Sequence, residues 1–351
     1  SGNRSPAEPY VREAVTDAYN RLIAPSIERE IRNDLFDTAC EGAIKVFSDN
    51  LGHLLMQPPL KGKVVLGFDP GYAHGCKLAV VDPTGKVLDT AVVYPTIKPR
   101  AEEAARVVKR LIRNYAVDVV AIGNGTASRE SEAFIAGLLK QIEKPCKYII
   151  VSEAGASIYS ASQLAAEEFP DFDVMQRSAV SIARRLQDPL AELVKIDPKG
   201  IGIGQYQHDM KQARLDEALG GVVESCVNAV GVDINTASYS LLSYIAGINQ
   251  TAAKNIVKYR EENGAFTTRG QVTKVPRIGA KAFQQCAGFL RVPGGREALD
   301  NTGVHPESYD CARRLLSMFG YSEADIANGG LTGLRQKVVR KGMQSVCEAL
   351  E

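Results

Sequence analysis

Residues 64–93 read VVLGFDPGYAHGCKLAVVDPTGKVLDTAVV, and this stretch carries the strongest information on the fold. Its apolar runs at 64–68, 78–81 and 87–93 are short, contain many β-branched residues and are separated by turn residues, which is typical of strands. The last two runs are joined by Asp82-Pro83-Thr84-Gly85, a sequence that favours a tight reverse turn. The stretch therefore predicts three consecutive antiparallel strands.

Helices and strands alternate in the next part of the chain. Helices are predicted over 101–115 and 130–142, and strands over 117–122 and 148–151, before a further helix over 178–194. A strand–helix–strand connection is a right-handed crossover that adds a parallel strand to the sheet. This element order predicts an α/β RNase H-like domain with a mixed five-stranded sheet, flanked by all-α regions.

Two copies of a short glycine motif lie within residues 241–292. A helix–hairpin–helix has glycines between two short helices, because backbone amides approach a phosphate there and side chains would collide. The first copy runs from Ile245 to Asn249, where Asn249 replaces the second glycine and is expected in the left-handed conformation. The second copy runs from Val275 to Gly279, where Arg277 replaces the first glycine. We predict a tandem helix-hairpin-helix domain that binds nucleic acid through Gly247, Asn249, Lys254, Arg277, Gly279 and Lys281.

Basic residues are concentrated around these two motifs. Nine Lys and Arg but only two acidic residues lie from Tyr244 to Arg296, although the whole chain has a net charge of +1. Such a local excess attracts phosphate. Lys254 and Lys281 are expected in the first turns of the helices after the hairpins, where each would contact a phosphate. The departures from the glycine pattern leave open a purely structural role for one or both hairpins.

The chain divides into four predicted regions. Apolar residues recur at helical spacing over 8–55, with a break between two helices at Pro25. The run from Gln57 to Lys63 contains consecutive prolines and a glycine, which is typical of a linker. We predict a helical N-terminal region over 1–60, the RNase H-like domain over 61–195, a helical connector with the tandem hairpins over 196–300, and a C-terminal helical region over 301–351.

The composition is that of a globular protein. Hydrophobic residues make up 45% and charged residues 24% of the 351 residues, and no apolar run is long enough to span a bilayer. The seven cysteines lack the paired spacing of a zinc site or a disulfide framework. We therefore expect a cytoplasmic protein with reduced thiols, no bound metal and no cofactor.

Asp69 comes after the first predicted strand, where RNase H-like nucleases hold a metal-binding carboxylate. Two-metal cleavage needs further acids around ions that lie about 3.5–4 Å apart. The matching position after the fourth strand is Asn124, and the last helix offers only Asp188, preceded by Arg184 and Arg185. Because arginines repel Mg²⁺, we interpret Asp69, Asn124 and Asp188 as vestiges of a catalytic site and predict a domain that does not cleave.

Several unusual runs carry a resemblance to a known family. They are PSIERE (25–30), NLGHLL (50–55), GFDPGY (67–72), GCK (75–77), IGNGTASRE (122–130), SEAGASIYSAS (152–162), ARRLQDPL (183–190) and AGFLR (287–291). With these runs the chain resembles the Tex family of bacterial transcription accessory proteins, relatives of the eukaryotic elongation factor Spt-six. The resemblance implies an RNase H-like domain of the YqgF type, and a fragment without the N-terminal region and C-terminal OB-fold RNA-binding domain of full-length members.

These features predict a non-catalytic nucleic-acid-binding scaffold of transcription that depends little on base sequence. The expected partners are RNA or DNA and the transcription machinery; a membrane partner is not expected, and the expected state is a monomer. The alternative is an active, structure-selective, metal-dependent nuclease of the resolvase type. The preference between RNA and DNA, and between single and double strands, stays open at this point.

Overall fold

The computed structural model describes residues 5–142 and 145–350, so the outermost residues of the predicted first and last regions lie outside the described residues. The chain begins with α1 (Glu8–Ala18), a π-helical segment (Tyr19–Ile23) and α2 (Ala24–Leu55). The predicted break at Pro25 is wrong. Pro25 lies in the first turn of α2, where a missing N–H is harmless, and the helical path continues through it.

A mixed five-stranded sheet comes next, as the sequence predicts. Its strands are β1 (Val65–Asp69), β2 (Cys76–Val81), β3 (Val87–Val93), β4 (Val119–Gly123) and β5 (Lys147–Val151). The order across the sheet is β3-β2-β1-β4-β5, with β1, β2 and β3 antiparallel and β4 and β5 added in parallel. The RNase H-like fold class is confirmed.

Helices cover both faces of this sheet. The elements are α3 (Lys98–Asn114), α4 (Ser128–Leu139), α5 (Ala156–Ser160), α6 (Gln163–Glu168), α7 (Val174–Gln187) and α8 (Pro189–Leu193). Residues of α3 and α4 form an apolar core with one face of the sheet, and α7 packs on the other face. The single helix predicted over 178–194 is two helices, because Asp188 ends α7 and its carboxylate caps α8.

Helix α7 lies unusually close to β1. A Cβ at Gly67 would be 2.1 Å from the carbonyl oxygen of Ala179 and 3.0 Å from the Cβ of Ala183. Both alanines face the sheet from α7 and are fully buried. The absence of a side chain at position 67 therefore sets the height of α7 above the sheet.

The rest of the chain is mostly helical. It contains α9 (Gln212–Val230), α10 (Tyr239–Leu242), α11 (Gln250–Asn263), α12 (Ala280–Cys286), α13 (Tyr309–Met318), α14 (Glu323–Ala327), α15 (Leu334–Lys341) and α16 (Met343–Leu350). Two short strands, β6 (Val232–Asp233) and β7 (Leu290–Arg291), form a parallel pair. Short 3₁₀ helices connect several of these elements, for example Arg269–Lys274 before α12.

The largest apolar core joins the helical parts of the chain. It includes Ile44 and Phe47 of α2, Leu219 and Val223 of α9, and residues of both hairpins up to Val292. The hairpins therefore rest on a helical base that also packs on part of the RNase H-like domain. In the described part of the chain, no helix combines the length and the apolar character needed to cross a bilayer. The predicted region boundaries stay predictions.

Gly67→Ala should lower the free energy of unfolding by roughly 3 kcal/mol, because the new methyl group would push α7 away from the sheet. Gly137→Ala is the matched control: Gly137 is exposed inside α4, with no atom within 4 Å of an added Cβ among the described residues. That substitution should raise the free energy of unfolding by about 0.5–1 kcal/mol. Urea unfolding followed by circular dichroism measures both, and equal effects would contradict the close packing at Gly67.

Candidate nucleic-acid interface and the sheet-edge cluster

The first hairpin turn lies between α10 and α11. The amide of Ile248 donates to the carbonyl of Ile245 at 3.0 Å, and Gly247 has φ +82°, as a type II turn requires. Asn249 has φ −83° and is therefore not left-handed, contrary to the expectation from sequence. It is the N-cap of α11, and its Oδ1 accepts a hydrogen bond from the amide of Ala252 at 2.9 Å.

The second hairpin turn repeats this geometry before α12. The amide of Ile278 donates to the carbonyl of Val275 at 3.1 Å, and Arg277 has φ +69° at the position equivalent to Gly247. Gly279 is the N-cap of α12 with φ −85°, which any residue could adopt. No atom of the described residues lies within 4 Å of a Cβ added at Gly279, so neither strain nor packing requires glycine there.

The two hairpins pack against each other reciprocally. A Cβ at Gly247 in the first turn would be 2.7 Å from the Cβ of Gln285 at the end of α12. In return, the Nδ2 of Asn255 on α11 donates to the carbonyl of Pro276 in the second turn at 2.9 Å. Each turn therefore contacts the second helix of the other hairpin, and both helix N-termini are fixed in one unit.

A packed connector joins the two hairpins. Phe266 is buried, and its ring stacks on Tyr259 at a centroid distance of 5.3 Å. Asn235 holds the backbone of Phe266 with two hydrogen bonds, one from its own amide group to the carbonyl and one accepted from the amide. The tandem arrangement is thus a packed structure as well as a sequence pattern.

The two helix N-termini differ in their free donors. Asn249 occupies the amide of Ala252 in α11, whereas no side chain of the described residues caps α12. The first amides of a helix have no partner within the helix, and together with the helix dipole they attract anions. Helix α12 therefore presents more unoccupied amides than α11, beside an exposed and side-chain-free Gly279.

The two predicted lysine contacts are not equivalent. Lys281 is the second residue of α12, is exposed and lies in the first turn as expected. Lys254 is the fifth residue of α11 and lies one turn further along, where its Nζ is 5.2 Å from the centroid of the Tyr239 ring. The residue of α11 that matches Lys281 is Thr251, so the first hairpin lacks a basic side chain at that position.

The basic excess inferred from sequence is smaller at the surface. Arg269 is completely buried and donates to the backbone carbonyls of Leu290, Val304 and Thr302 and to the hydroxyl of Tyr309. Arg260 and Arg291 are partly buried and donate to backbone carbonyls. The exposed basic residues of this region are Lys254, Lys258, Lys274, Arg277, Lys281 and Arg296. Arg269 instead joins the second hairpin to the residues that precede α13.

A second cluster of polar residues lies at the edge of the sheet where β1, β4 and β5 end. Asp69 is the last residue of β1 and stands directly opposite Lys77 in the β1–β2 register. Burial raises the pKa of the Asp69 carboxyl, while a hydrogen bond with Ser178 of α7 and the charge of Lys77 lower it. The predicted position of Asp69 at the end of the first strand is confirmed.

Glu153 belongs to this cluster and was not predicted from the sequence. Burial, followed by the charge of Asp69, raises the pKa of the Glu153 carboxyl, and a hydrogen bond from the amide of Gly125 and the charge of Arg185 lower it. A Cβ at Gly125 would be 1.5 Å from its Oε1, so the carboxylate occupies the space beside the end of β4. Asn124 comes directly after β4 as predicted, and its Oδ1 accepts a hydrogen bond from the amide of Glu153 at 3.0 Å.

A signal for Glu153 was present in the sequence. It comes two residues after β5, and the carboxyl ends of parallel strands meet at one edge of a sheet. The acid expected beside β4 therefore comes from β5 and reaches across the glycines. Asp188 does not join the cluster, because it follows α7 and caps α8. The neighbouring Gln187 donates to the carbonyl of Lys63, so this part of the chain lies at the opposite end of β1 from Asp69.

Of Arg184 and Arg185 on α7, only Arg185 reaches the cluster. Its Nη1 donates to the carbonyls of Ser152 and Ala154 at 3.0 and 2.6 Å, on either side of Glu153. Arg184 donates instead to the carbonyl of Gly85 in the β2–β3 turn. The sheet edge therefore brings together two carboxylates, Asp69 and Glu153, and two buried cations, Lys77 and Arg185.

This donor set does not fit a divalent metal ion. Two-metal cleavage requires several carboxylates arranged around the ions, and each carboxylate here faces a cation of the protein itself. Within residues 5–142 and 145–350, no group of three or more His, Cys, Asp or Glu side chains is placed to hold a metal ion. The geometry supports a hydrogen-bonded structural cluster.

Comparisons with known proteins agree with this architecture. Residues 63–187 match the family described as "Tex protein YqgF-like domain", residues 227–291 match "Helix-hairpin-helix motif", and residues 297–345 match "HHH domain". The last match lies in the predicted C-terminal helical region, where no hairpin was predicted from the sequence. Gly333, with φ +86° before α15, marks one of its turns.

Similar proteins occur in bacteria and animals. The chain is 54% identical to Bacillus subtilis YdcI over 341 residues, which cover 97% of the chain and 47% of that protein. It is 53% identical to "Transcriptional accessory protein Tex" of Neisseria gonorrhoeae over 330 residues, 94% of the chain and 42% of that protein. It is 42% identical to human "S1 RNA-binding domain-containing protein 1" over 393 aligned residues, 96% of the chain and 39% of that protein. The chain thus spans less than half the length of these relatives.

Glu153→Gln should raise the melting temperature at pH 7.5, because it removes a partly buried charge that Asp69 repels. An acid whose folded-state pKa is raised destabilises the fold where it is ionised, and this cost disappears below the unfolded-state pKa of about 4.3. The gain should therefore shrink as the pH falls from 7.5 toward 4. Thermal melts at several pH values measure it, with the exposed Glu167→Gln as control. A gain that grows toward acid pH would contradict this account.

Proposed function

The chain belongs to the Tex family, and we propose that it is a non-cleaving nucleic-acid-binding scaffold of transcription whose second hairpin is the main phosphate contact. The observation that supports this most directly is the N-terminus of α12. Its amides lack a side-chain cap among the described residues, Gly279 leaves open space in front of them, and Lys281 stands exposed beside them. A phosphate fits donors of this kind, because amides and dipole both favour an anion.

The affinity for nucleic acid should depend little on base sequence. Backbone amides and a lysine in a first helical turn contact phosphate oxygens, which are the same at every nucleotide. The same chemistry serves RNA and DNA, so we propose both as ligands. Contact with the transcription machinery, a cytoplasmic location and a monomeric state complete the proposal, and the first of these draws on the name of the Neisseria gonorrhoeae relative.

The first hairpin has a smaller part in this proposal. Asn249 occupies one amide of α11, and Lys254 lies in the second turn against the Tyr239 ring. Gly247 packs on α12 and helps to hold the second hairpin in place. Its role is therefore mainly to position α12.

The non-cleaving part of the proposal draws on the sheet-edge cluster. Asp69 and Glu153 lie close enough for their charges to repel, which is the feature that favours the alternative of a metal-dependent nuclease. Lys77 and Arg185 offset these charges from within the protein. Carboxylates whose charges are already offset within the protein attract a divalent cation weakly.

Lys281→Glu should weaken binding to labelled RNA and duplex DNA by a similar factor, and should flatten the plot of log affinity against log salt by about one unit, because one phosphate contact is lost. Lys86→Glu is the matched control, since Lys86 is an exposed lysine in the β2–β3 turn, away from the hairpins. Fluorescence anisotropy at several salt concentrations measures both. Equal loss in the two variants would argue against a hairpin contact.

Gly279→Asn tests the amides themselves. The new side chain should cap α12 as Asn249 caps α11, which should raise the free energy of unfolding by a few tenths of a kcal/mol. It should also lower nucleic-acid affinity several-fold, because the amide is occupied and the open space is filled. Unchanged affinity in a folded variant would show that the second hairpin is structural.

Incubation with single-stranded RNA, DNA and branched DNA should give no cleavage with Mg²⁺ or Mn²⁺, because Asp69 and Glu153 lack further carboxylate partners among the described residues. Denaturing gels with end-labelled substrates provide the measurement. Metal-dependent products that disappear in Asp69→Ala would support the nuclease alternative instead.

A further inference from the structure

In the sheet-edge cluster, two basic side chains lie beside two carboxylates where a nuclease of this fold would bind metal ions. We propose that the ammonium of Lys77 and the guanidinium of Arg185 take the place of divalent cations in this domain, so that loss of the Lys77 charge creates a divalent-cation site from Asp69 and Glu153. The inference deepens the proposed non-cleaving role and rests on that part of it. It assigns a purpose to two buried basic residues that the hairpin function does not use.

Lys77 is placed as an internal counter-ion. Residues directly opposite in antiparallel strands project to the same face, so Lys77 and Asp69 both face α7. The side chain of Lys77 is 7% exposed, although a lysine commonly extends its charged end to water. Its Nζ instead donates to the carbonyl of Gly75 at 2.8 Å, which keeps the ammonium inside the loop between β1 and β2.

Gly71 makes this position possible. A Cβ at Gly71 would lie 2.9 Å from the carbonyl of Gly75 and 3.6 Å from the Nζ of Lys77. A larger residue would therefore move the carbonyl that receives the ammonium. The loop between β1 and β2 is shaped around a buried positive charge.

Arg185 supplies the second charge on the opposite side. It is 3% exposed, and its Nη1 holds the carbonyls that flank Glu153. Its Nε and Nη2 have no hydrogen-bond partner among the described residues, and Glu192 and Glu153 act on it only through their charges. A buried guanidinium with unused donors is costly unless nearby carboxylates offset it. Its charge is therefore the property that the cluster uses.

The balance of charges in the cluster predicts the effect of removing one cation. The charges of Asp69 and Glu153 are offset by Lys77 and Arg185, and the buried Glu192 that also acts on Arg185 is itself paired with Lys195 at 3.0 Å. A divalent ion would therefore add an uncompensated charge. Without the Lys77 charge the cluster has a net negative charge. The carboxylate oxygens of Asp69 and Glu153, with the Ser178 hydroxyl that is hydrogen-bonded to Asp69, are then hard donors of the kind that bind Mg²⁺ or Mn²⁺.

Lys77→Met tests the inference, because methionine keeps most of the buried stem and removes the charge. In EDTA the variant should melt below the wild type, since Asp69 loses its counter-charge. Millimolar Mn²⁺ should raise the melting temperature of the variant by several degrees and leave the wild type unchanged. Electron paramagnetic resonance of free Mn²⁺ should show binding to the variant at least about ten times tighter than to the wild type, as a gain of one local charge predicts.

Two further variants keep the test decisive. Lys86→Met, on an exposed lysine, should behave as the wild type in every measurement. The double variant Lys77→Met/Asp69→Asn should fold in EDTA, and Mn²⁺ should not change its melting temperature. This result is expected even if Lys77→Met alone folds only in the presence of Mn²⁺. The inference is overturned if Mn²⁺ raises the melting temperature of the double variant as much as that of Lys77→Met. It is also overturned if folded Lys77→Met binds Mn²⁺ no more tightly than the wild type does.

The outcome is separable from the hairpin function. Lys77 lies in the sheet, and its substitution should leave the affinity for RNA and DNA and its salt dependence unchanged. If Lys77→Met does not bind Mn²⁺ but has the nucleic-acid affinity of the wild type, only the replacement of a metal ion by lysine is rejected. If Lys77→Met binds Mn²⁺ as expected but Lys281→Glu leaves the nucleic-acid affinity unchanged, only the hairpin proposal is rejected.

Discussion

The contact between Gly67 of β1 and the backbone of α7 is the constraint on which the RNase H-like domain depends. Because no side chain separates them, α7 lies against the sheet, and its residues reach the ends of the strands. Ser178 near the start of α7 thus meets Asp69, and Arg185 near its end meets the segment after β5.

The strand order explains why the acids meet. β1, β4 and β5 are parallel neighbours, so their carboxyl ends share one edge, and Asp69, Asn124 and Glu153 lie together there. The same architecture in a nuclease would collect carboxylates around metal ions. In this chain the antiparallel partner β2 contributes Lys77 to the same edge, and a charge on the protein takes up the interaction that a metal would make. The proposed loss of cleavage follows from one strand pairing.

The hairpins show a comparable division of tasks. Both turns need a residue with positive φ, which Gly247 and Arg277 provide, and both helices need an N-cap, which Asn249 and Gly279 provide. The two glycines differ in whether the fold requires them. Gly247 is required by its positive φ and by its contact with Gln285, whereas Gly279, at the N-cap, is surrounded by open space. A glycine that the fold does not need is the one most available for a ligand.

The sequence alone determined the succession of strands and helices along the chain, the class of fold, the paired hairpins and the position of Asp69, because these depend on local periodicity and turn residues. It also supported family membership through long runs of unusual residues. Tertiary structure alone decided that the Glu153 carboxylate fills the space beside Gly125 and faces Asp69, that Arg269 is buried and that Lys254 lies against the Tyr239 ring. The physical reason is that charge and distance between residues far apart in the chain are set by packing, which periodicity does not encode.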